Sequence, residues 1–201
     1  MSAYAPYSIV ILAAGNSSRL GEPKQLLKYQ NKTLIRHITE TALASGFSEV
    51  IIVTGSNSER IENELNGLKC HFTYNANWAE GMGSSIAQGI HGLQSMNILS
   101  AGVILAVSDQ PFVDISLFQS LIDQKTRTNA GIVASSYAGT LGTPVLFSEK
   151  YFTDLLKLSG AEGAKKLLSK FSNEVTSCPF PLGNIDIDTK EDYKNLLIFQ
   201  S

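Results

Sequence analysis

Ile9-Val10-Ile11-Leu12-Ala13-Ala14-Gly15-Asn16-Ser17-Ser18-Arg19-Leu20-Gly21-Glu22-Pro23-Lys24-Gln25-Leu26-Leu27 is the stretch on which the reading of this chain turns. Its opening, apolar and rich in β-branched residues over 8–12, reads as a buried strand. It has no basic residue before it and is far shorter than the roughly 20 apolar residues that cross a bilayer as a helix. The run passes directly into small residues and then into two cations. Ala and Gly let backbone N–H groups close on a ligand, and Arg19 and Lys24 neutralise phosphate, so the pattern is that of an anion-binding loop at a strand end. It is not a P-loop, because Glu22 and Pro23 stand between Gly21 and Lys24. Read in isolation, the same stretch also fits a loop whose two cations are merely solvated.

Outward from this stretch, short apolar runs recur at 49–54, 70–74, 103–107, 131–135 and, less clearly, 145–147. Continuous rather than alternating apolarity marks strands covered on both faces. Between the runs lie segments of helical spacing. In 33–46, Leu34, Ile35, Ile38, Ala42 and Leu43 recur along one face and Gly46 stands as a stop. Similar spacing occupies 58–65, 84–93, 115–126, 148–158, 163–170 and 190–199. The alternation predicts a three-layer α/β/α sandwich with a mostly parallel sheet, whose ligands bind beyond the carboxyl ends of the strands. No linker, repeat or low-complexity tract interrupts it, so residues 1–201 read as a single domain.

Of the 201 residues, 43% are apolar and 17% charged, enough to bury a core without disulfide or metal support. Sixteen Lys and Arg against 18 Asp and Glu give a net charge of -2, so no nucleic acid and no membrane partner is expected and the ligand should be small. Cys70 and Cys178 form no C-x-x-C pair, and His37, His71 and His91 share no metal-ligand spacing. A reducing compartment, the cytoplasm, is the expectation.

Chemistry is sought just after the strands. Trp78-Ala79-Glu80-Gly81-Met82-Gly83-Ser84-Ser85-Ile86 opens a helix near Ser84, and Ile86 stands where a dinucleotide fingerprint needs its third Gly. Ser84 or Ser85 as a helix cap accounts for it equally well. The run 103–107 ends in Ser108-Asp109-Gln110-Pro111. A carboxylate there can hold Mg²⁺ while nucleotide phosphates and waters complete the octahedron, and an Asp-x-Pro turn is the alternative. Asn184-Ile185-Asp186-Ile187-Asp188-Thr189-Lys190-Glu191-Asp192-Tyr193 alternates like a strand, with Asp186 and Asp188 on one side. Thr189-x-x-Asp192 also approximates a capping box at a helix start.

The first loop resembles the signature L-A-A-G-x-S-x-R-x-G-x-x-K of the MobA-like nucleotidyltransferases. Its continuation, Lys24-Gln25-Leu26-Leu27, resembles the branch containing molybdenum cofactor cytidylyltransferase. Four further boxes follow in family order: Gly81 to Ile86, Ser108 to Pro111, Leu141-Gly142-Thr143-Pro144-Val145-Leu146-Phe147, and Asn184 to Tyr193. Gly160-Ala161-Glu162-Gly163-Ala164-Lys165 looks like the family's G-D-x-G-A-R box, with Ala161 in place of Asp and Lys165 in place of Arg.

The resemblance implies a Rossmann-like nucleotidyltransferase fold of the glycosyltransferase A-like kind. It implies that Leu12, Ala13, Ala14 and Gly15 hold base and ribose, that Arg19 meets the leaving pyrophosphate and Lys24 the phosphate under attack, and that Gly83, Ser84 and Ser85 border the base. Asp109 would bind the catalytic Mg²⁺, with Asp188 favoured over Asp186 as second ligand. Lys24, Arg19 and Asp109 would be the catalytic groups, and Gly142, Thr143, Pro144 and Lys165 would lie near the acceptor. Ala14 favours CTP, and the acceptor implied is a phosphorylated small molecule, the molybdenum cofactor. A molybdenum hydroxylase or its chaperone is the implied macromolecular partner. Leu141 and Thr143 stand where many members carry Arg and His, which leaves two alternatives open: a sugar- or alditol-phosphate nucleotidyltransferase, and a non-catalytic accessory protein that binds nucleotide or cofactor.

Overall fold

A strand apolar on both faces must be hydrogen-bonded along both edges and covered above and below, and this requirement organises the molecule. The computed structural model describes residues 7–18, 20–97 and 99–198. Its strands are β1 (Tyr7–Leu12), β2 (Lys28–Tyr29), β3 (Lys32–Thr33), β4 (Val50–Thr54), β5 (His71–Tyr74), β6 (Gly102–Val107), β7 (Ile132–Tyr137), β8 (Thr140–Ser148) and β9 (Val175–Pro179). Its α-helices are α1 (Leu34–Ala44), α2 (Ser58–Glu64), α3 (Met82–Ser95), α4 (Ile115–Thr128), α5 (Phe152–Leu156), α6 (Lys165–Lys170) and α7 (Lys190–Ile198). Seven strands form one sheet in the order β5-β4-β1-β6-β8-β7-β9, while β2 and β3 make a separate hairpin. Only β8 runs antiparallel to its neighbours, β6 and β7.

Side chains alternate across β1, so Ile9 and Ile11 join Ile35, Ile38, Ile61 and Phe118 on one face. Val10 joins Val53, Ile86, Ile90 and Leu155 on the other. Each of these side chains is fully buried, which contributes about 1.5–3 kcal/mol apiece relative to exposure. Helices on both faces of a mostly parallel sheet are the expected three layers. Strand β1 lies inside the sheet, between β4 and β6 and parallel to both, so the loops leaving β1 and β6 sit side by side. None of the helices among the described residues is long and apolar enough to cross a membrane.

The structure departs from the expectation in identifiable places. The strand at β5 is an exposed edge, with Phe72 and Tyr74 in solvent, rather than a covered strand. The segment expected as 145–147 is the middle of the nine-residue β8, whose polar first half pairs only because β7 supplies a partner. The strand β9 was not expected, since Val-Thr-Ser-Cys-Pro lacks an apolar run. Segment 148–158 divides into a 3-10 turn, Glu149–Tyr151, followed by α5.

Helix α3 begins at Met82 rather than near Ser84, and neither serine caps it. Gly81, at φ 127°, precedes the helix without a side-chain cap, and Ser84 Oγ donates instead to the carbonyls of Asn77 and Gly81. Residues 184–189 form no strand; the capping-box reading is the one observed. Asp192 Oδ2 accepts from the N–H groups of Asp188 and Thr189, and Thr189 Oγ1 accepts from Asp192 N. The alternation survives in the loop, for Ile187 is fully buried while the aspartates on either side of it are not.

Candidate functional site

Small residues after β1 let the chain turn tightly, and the glutamine following Lys24 holds that turn. Gln25 is 1% exposed, and its Nε2 donates to the carbonyls of Ala13 (3.1 Å) and Gly15 (2.9 Å). Ser17 Oγ donates to Gln25 Oε1 and accepts from Lys24 N at 3.0 Å. The loop is thereby closed on itself and cannot drift from the sheet. Gly55, just past β4, backs it: a Cβ there would stand 2.7 Å from both the Ala14 carbonyl and Trp78 Cβ. Both alanines are buried, Ala13 in the core on one face of the sheet and Ala14 in the core on the other, where it also lines a cavity. Arg19 lies outside the described residues.

The loop leaving β6 presents Asp109 to the same point. Lys24 Nζ lies 2.5 Å from Asp109 Oδ2 and 2.6 Å from Asp188 Oδ1, so one ammonium joins segments 164 residues apart. Burial opposes charge on Lys24, yet the Asp109 and Asp188 carboxylates more than offset it and hold its pKa above the ordinary lysine value. Asp109 Oδ1 is buried and has no partner. Asp186 opens onto the adjoining cavity; desolvation, and then the Asp109 and Asp188 carboxylates, push its pKa up. The acidic segment is positioned from behind. Ile187 N donates to the Asp109 carbonyl at 3.2 Å, and the Ile187 side chain packs with Leu20, Leu27, Leu34 and Leu196.

Two cavities meet at Asp109. The smaller, about 230 Å³, is lined by Ala14, Gly15, Lys24, Trp78, Gly81 and Ser85 among others. The larger, about 670 Å³, takes in Gln110, Tyr137, Gly142, Thr143, Lys165 and Asp186. Leu12, Met82, Val107 and Asp109 border both.

Of the residues expected at a nucleotide, Leu12, Ala14, Gly15, Lys24, Ser85 and Asp109 are therefore brought together. Gly83 is not among the lining residues: a Cβ on it would meet the carbonyls of Ser159 and Glu162, so its role is to seat α3 on that loop. Ser84 and Ser85 share Asn75, whose Nδ2 donates to both hydroxyls at 2.9 and 3.0 Å. Of the residues expected at the acceptor, Gly142, Thr143 and Lys165 line the larger cavity. Pro144 does not; it is buried in β8 beside the register shift opposite Ala134 and Ser135, its carbonyl taking the Ser135 hydroxyl. Glu162 pairs with Lys166 at the surface instead of joining the carboxylates.

Residues that sequence reasoning did not single out also line the site. Trp78, the one tryptophan of the chain, and Gln25 wall the smaller cavity, and Gln110 and Tyr137 the larger. Gln110 donates to the Gly183 carbonyl at 2.8 Å, while its buried Oε1 has no partner. A long-range partner such as Gly183 leaves no local signal.

Chemically, the junction offers an ammonium for phosphate and a pair of carboxylates for a hard cation. The unpartnered Oδ1 of Asp109 and the two carboxylates already converging on one positive charge fit such a cation. Among the described residues no group of three or more His, Cys, Asp or Glu could hold a metal, so ligand oxygens would have to complete any shell.

The family model of the MobA-like NTP transferase domain matches residues 9–175. Nicotine blue oxidoreductase of Paenarthrobacter nicotinovorans is 32% identical over 136 residues, 67% of this chain and 63% of that protein. The purine catabolism protein PucB of Bacillus subtilis is 28% identical over 94% of this chain and 95% of its own length. Rv0371c of Mycobacterium tuberculosis H37Rv superposes with a TM-score of 0.82 at 28% identity, over 96% of this chain and 98% of that one. Its complex with manganese gives 0.79 at 26% identity, over 96% and 99%.

Proposed function

The chain belongs to the MobA-like NTP transferase family, and from that premise we propose that it transfers CMP from CTP to the terminal phosphate of the molybdenum cofactor, requires Mg²⁺, and releases pyrophosphate. The observation that carries this reading is the meeting of two cavities at Asp109, which Lys24 joins to Asp188. A reaction joining two phosphorylated ligands needs one charged point reachable from both sides, and Asp109 borders both.

In the step itself, an oxygen of the acceptor's terminal phosphate forms a bond to the α-phosphorus of the nucleotide. The bond from that phosphorus to the α,β-bridging oxygen breaks, and its electron pair leaves with pyrophosphate. Lys24 neutralises charge on the phosphate under attack, and Arg19 is assigned to the leaving group by family likeness. Asp109 and Asp188 would hold the Mg²⁺, which supplies charge neutralisation to the triphosphate. The manganese complex of Rv0371c supports a divalent cation in this fold. Gln25 fixes the backbone of the loop that carries Lys24, and Trp78 and Ala14 wall the space given to the base.

CTP rests on Ala14 by family likeness, and the molybdenum cofactor on the branch that Lys24 to Leu27 resembles. The product would pass in the cytoplasm to a molybdenum hydroxylase or its chaperone. A sugar or alditol phosphate in the larger cavity is the second reading, favoured by Thr143, Asn184 and Asp186 on its wall.

Pyrophosphate release decides among these readings, measured with CTP, GTP, ATP and UTP against molybdenum cofactor and sugar phosphates, with and without Mg²⁺. Release is expected from CTP with molybdenum cofactor and Mg²⁺. Release from a sugar phosphate instead moves the acceptor to the second reading, and nucleotide binding without any release replaces the enzyme with an accessory protein.

A further inference from the structure

The ammonium that should meet the triphosphate is already spent on the two carboxylates that should meet the metal. Lys24 Nζ donates to Asp109 Oδ2 and to Asp188 Oδ1 at 2.5 and 2.6 Å. The three side chains are only 18%, 15% and 33% exposed, so water screens the cluster little. A divalent cation approaching these oxygens meets a like charge in contact with both of them.

We propose that Lys24 is an internal counter-cation that keeps the Asp109 and Asp188 pair closed to a divalent ion until a triphosphate draws the ammonium away, so that metal and nucleotide bind as a coupled pair. The geometry gives the side chain somewhere to go. Lys24 also lines the smaller cavity beside Gly15 and Ser85. Its backbone is pinned, with Lys24 N donating to Ser17 Oγ and the neighbouring Gln25 clamped to the glycine loop. Only the four-carbon stem has to turn, which costs no rearrangement of the loop. Phosphate oxygens in that cavity would replace the carboxylates as partners of the ammonium. Asp109, whose Oδ1 is already unpartnered, would then face the metal without the ammonium beside it, and Asp188 would no longer share that ammonium.

The proposal rests on the reading of Asp109 and Asp188 as metal ligands, but not on which base or acceptor is used. It is tested by Mn²⁺ binding, followed by electron paramagnetic resonance and calorimetry, with and without the α,β-methylene analogues of CTP and GTP. Lys24→Met is expected to bind Mn²⁺ about tenfold or more tightly than wild type when no nucleotide is present, a typical size for such coupling. Lys24→Arg, which keeps the charge, should bind Mn²⁺ as weakly as wild type, and Asp109→Asn should bind none under any condition.

Equal or weaker nucleotide-free Mn²⁺ binding by Lys24→Met, alongside its loss in Asp109→Asn, overturns the counter-cation role and leaves the metal assignment standing. Undiminished binding by Asp109→Asn overturns both. Should Lys24→Met fail to fold, wild type decides: Mn²⁺ affinity that neither analogue raises also overturns the proposal.

Discussion

Lys24 shows how one residue can serve two neighbours, and Gln25 shows what holds it there. The Gln25 amide donates to two loop carbonyls, those of Ala13 and Gly15. Gln25→Leu keeps the bulk but removes the donor both carbonyls use, which should cost about 1–3 kcal/mol in a urea titration. It should also raise the KM for the nucleotide more than it lowers kcat, and unchanged KM would reduce Gln25 to a packing residue. His37 is a second informative residue. It stands edge-on to Tyr29 at 5.5 Å. Burial, with a smaller contribution from Lys32, holds its pKa below the ordinary value against opposing hydrogen bonds to the backbone of Val113 and Pro111. The unfolded chain therefore takes up the proton more readily than the folded one. The stability involved is present above an ordinary histidine pKa of about 6.5 and is lost as pH falls below it. The gap in melting temperature between wild type and His37→Asn should shrink from about pH 7 to about pH 5; a constant gap would contradict it.

At the scale of elements, local signals worked where a backbone need dictates residue type. Thr33 caps α1 through its hydroxyl, and Gly46 follows its end at φ 74°. The same kind of signal misled at Ser84 and Ser85, because cap-forming residues also serve as ordinary hydrogen-bonding side chains, here for Asn75. Nor could it foresee the β2–β3 hairpin, turned by Gln30 and Asn31 at positive φ, since two-residue strands carry no periodicity. The capping box before α7 does more than start a helix, because Asp192 Oδ2 grips the N–H of Asp188 itself. Asp192→Ala should cost about 1 kcal/mol of stability, as lost caps do. It should also raise the Mg²⁺ concentration needed for half-maximal turnover. A stability loss with an unaltered Mg²⁺ requirement would confine Asp192 to capping.

Across the whole molecule, the candidate site is a joint between three distant parts of the chain: the loop after β1, the loop after β6, and the segment before α7. Only the folded state presents them together, so ligands that bind there must stabilise the fold by mass action. At about 100 times Kd the gain is about 2.7 kcal/mol, and CTP with Mg²⁺ should raise the melting temperature by about 5–10 °C in a domain of this size. No shift with any nucleoside triphosphate and Mg²⁺ would place binding elsewhere. The glycine loop, Asp109 and the layered α/β plan were determined by the sequence itself. A phosphate loop and a doubly covered sheet each demand particular residues at close spacing, and such demands are local. Tertiary structure alone decided that Asp188 rather than Asp186 meets Lys24, that Pro144 and Gly83 serve packing, and that Trp78, Gln110 and Tyr137 wall the cavities. Those outcomes depend on distances between segments up to 164 residues apart, which are set by strand order and register rather than by any neighbour in the chain.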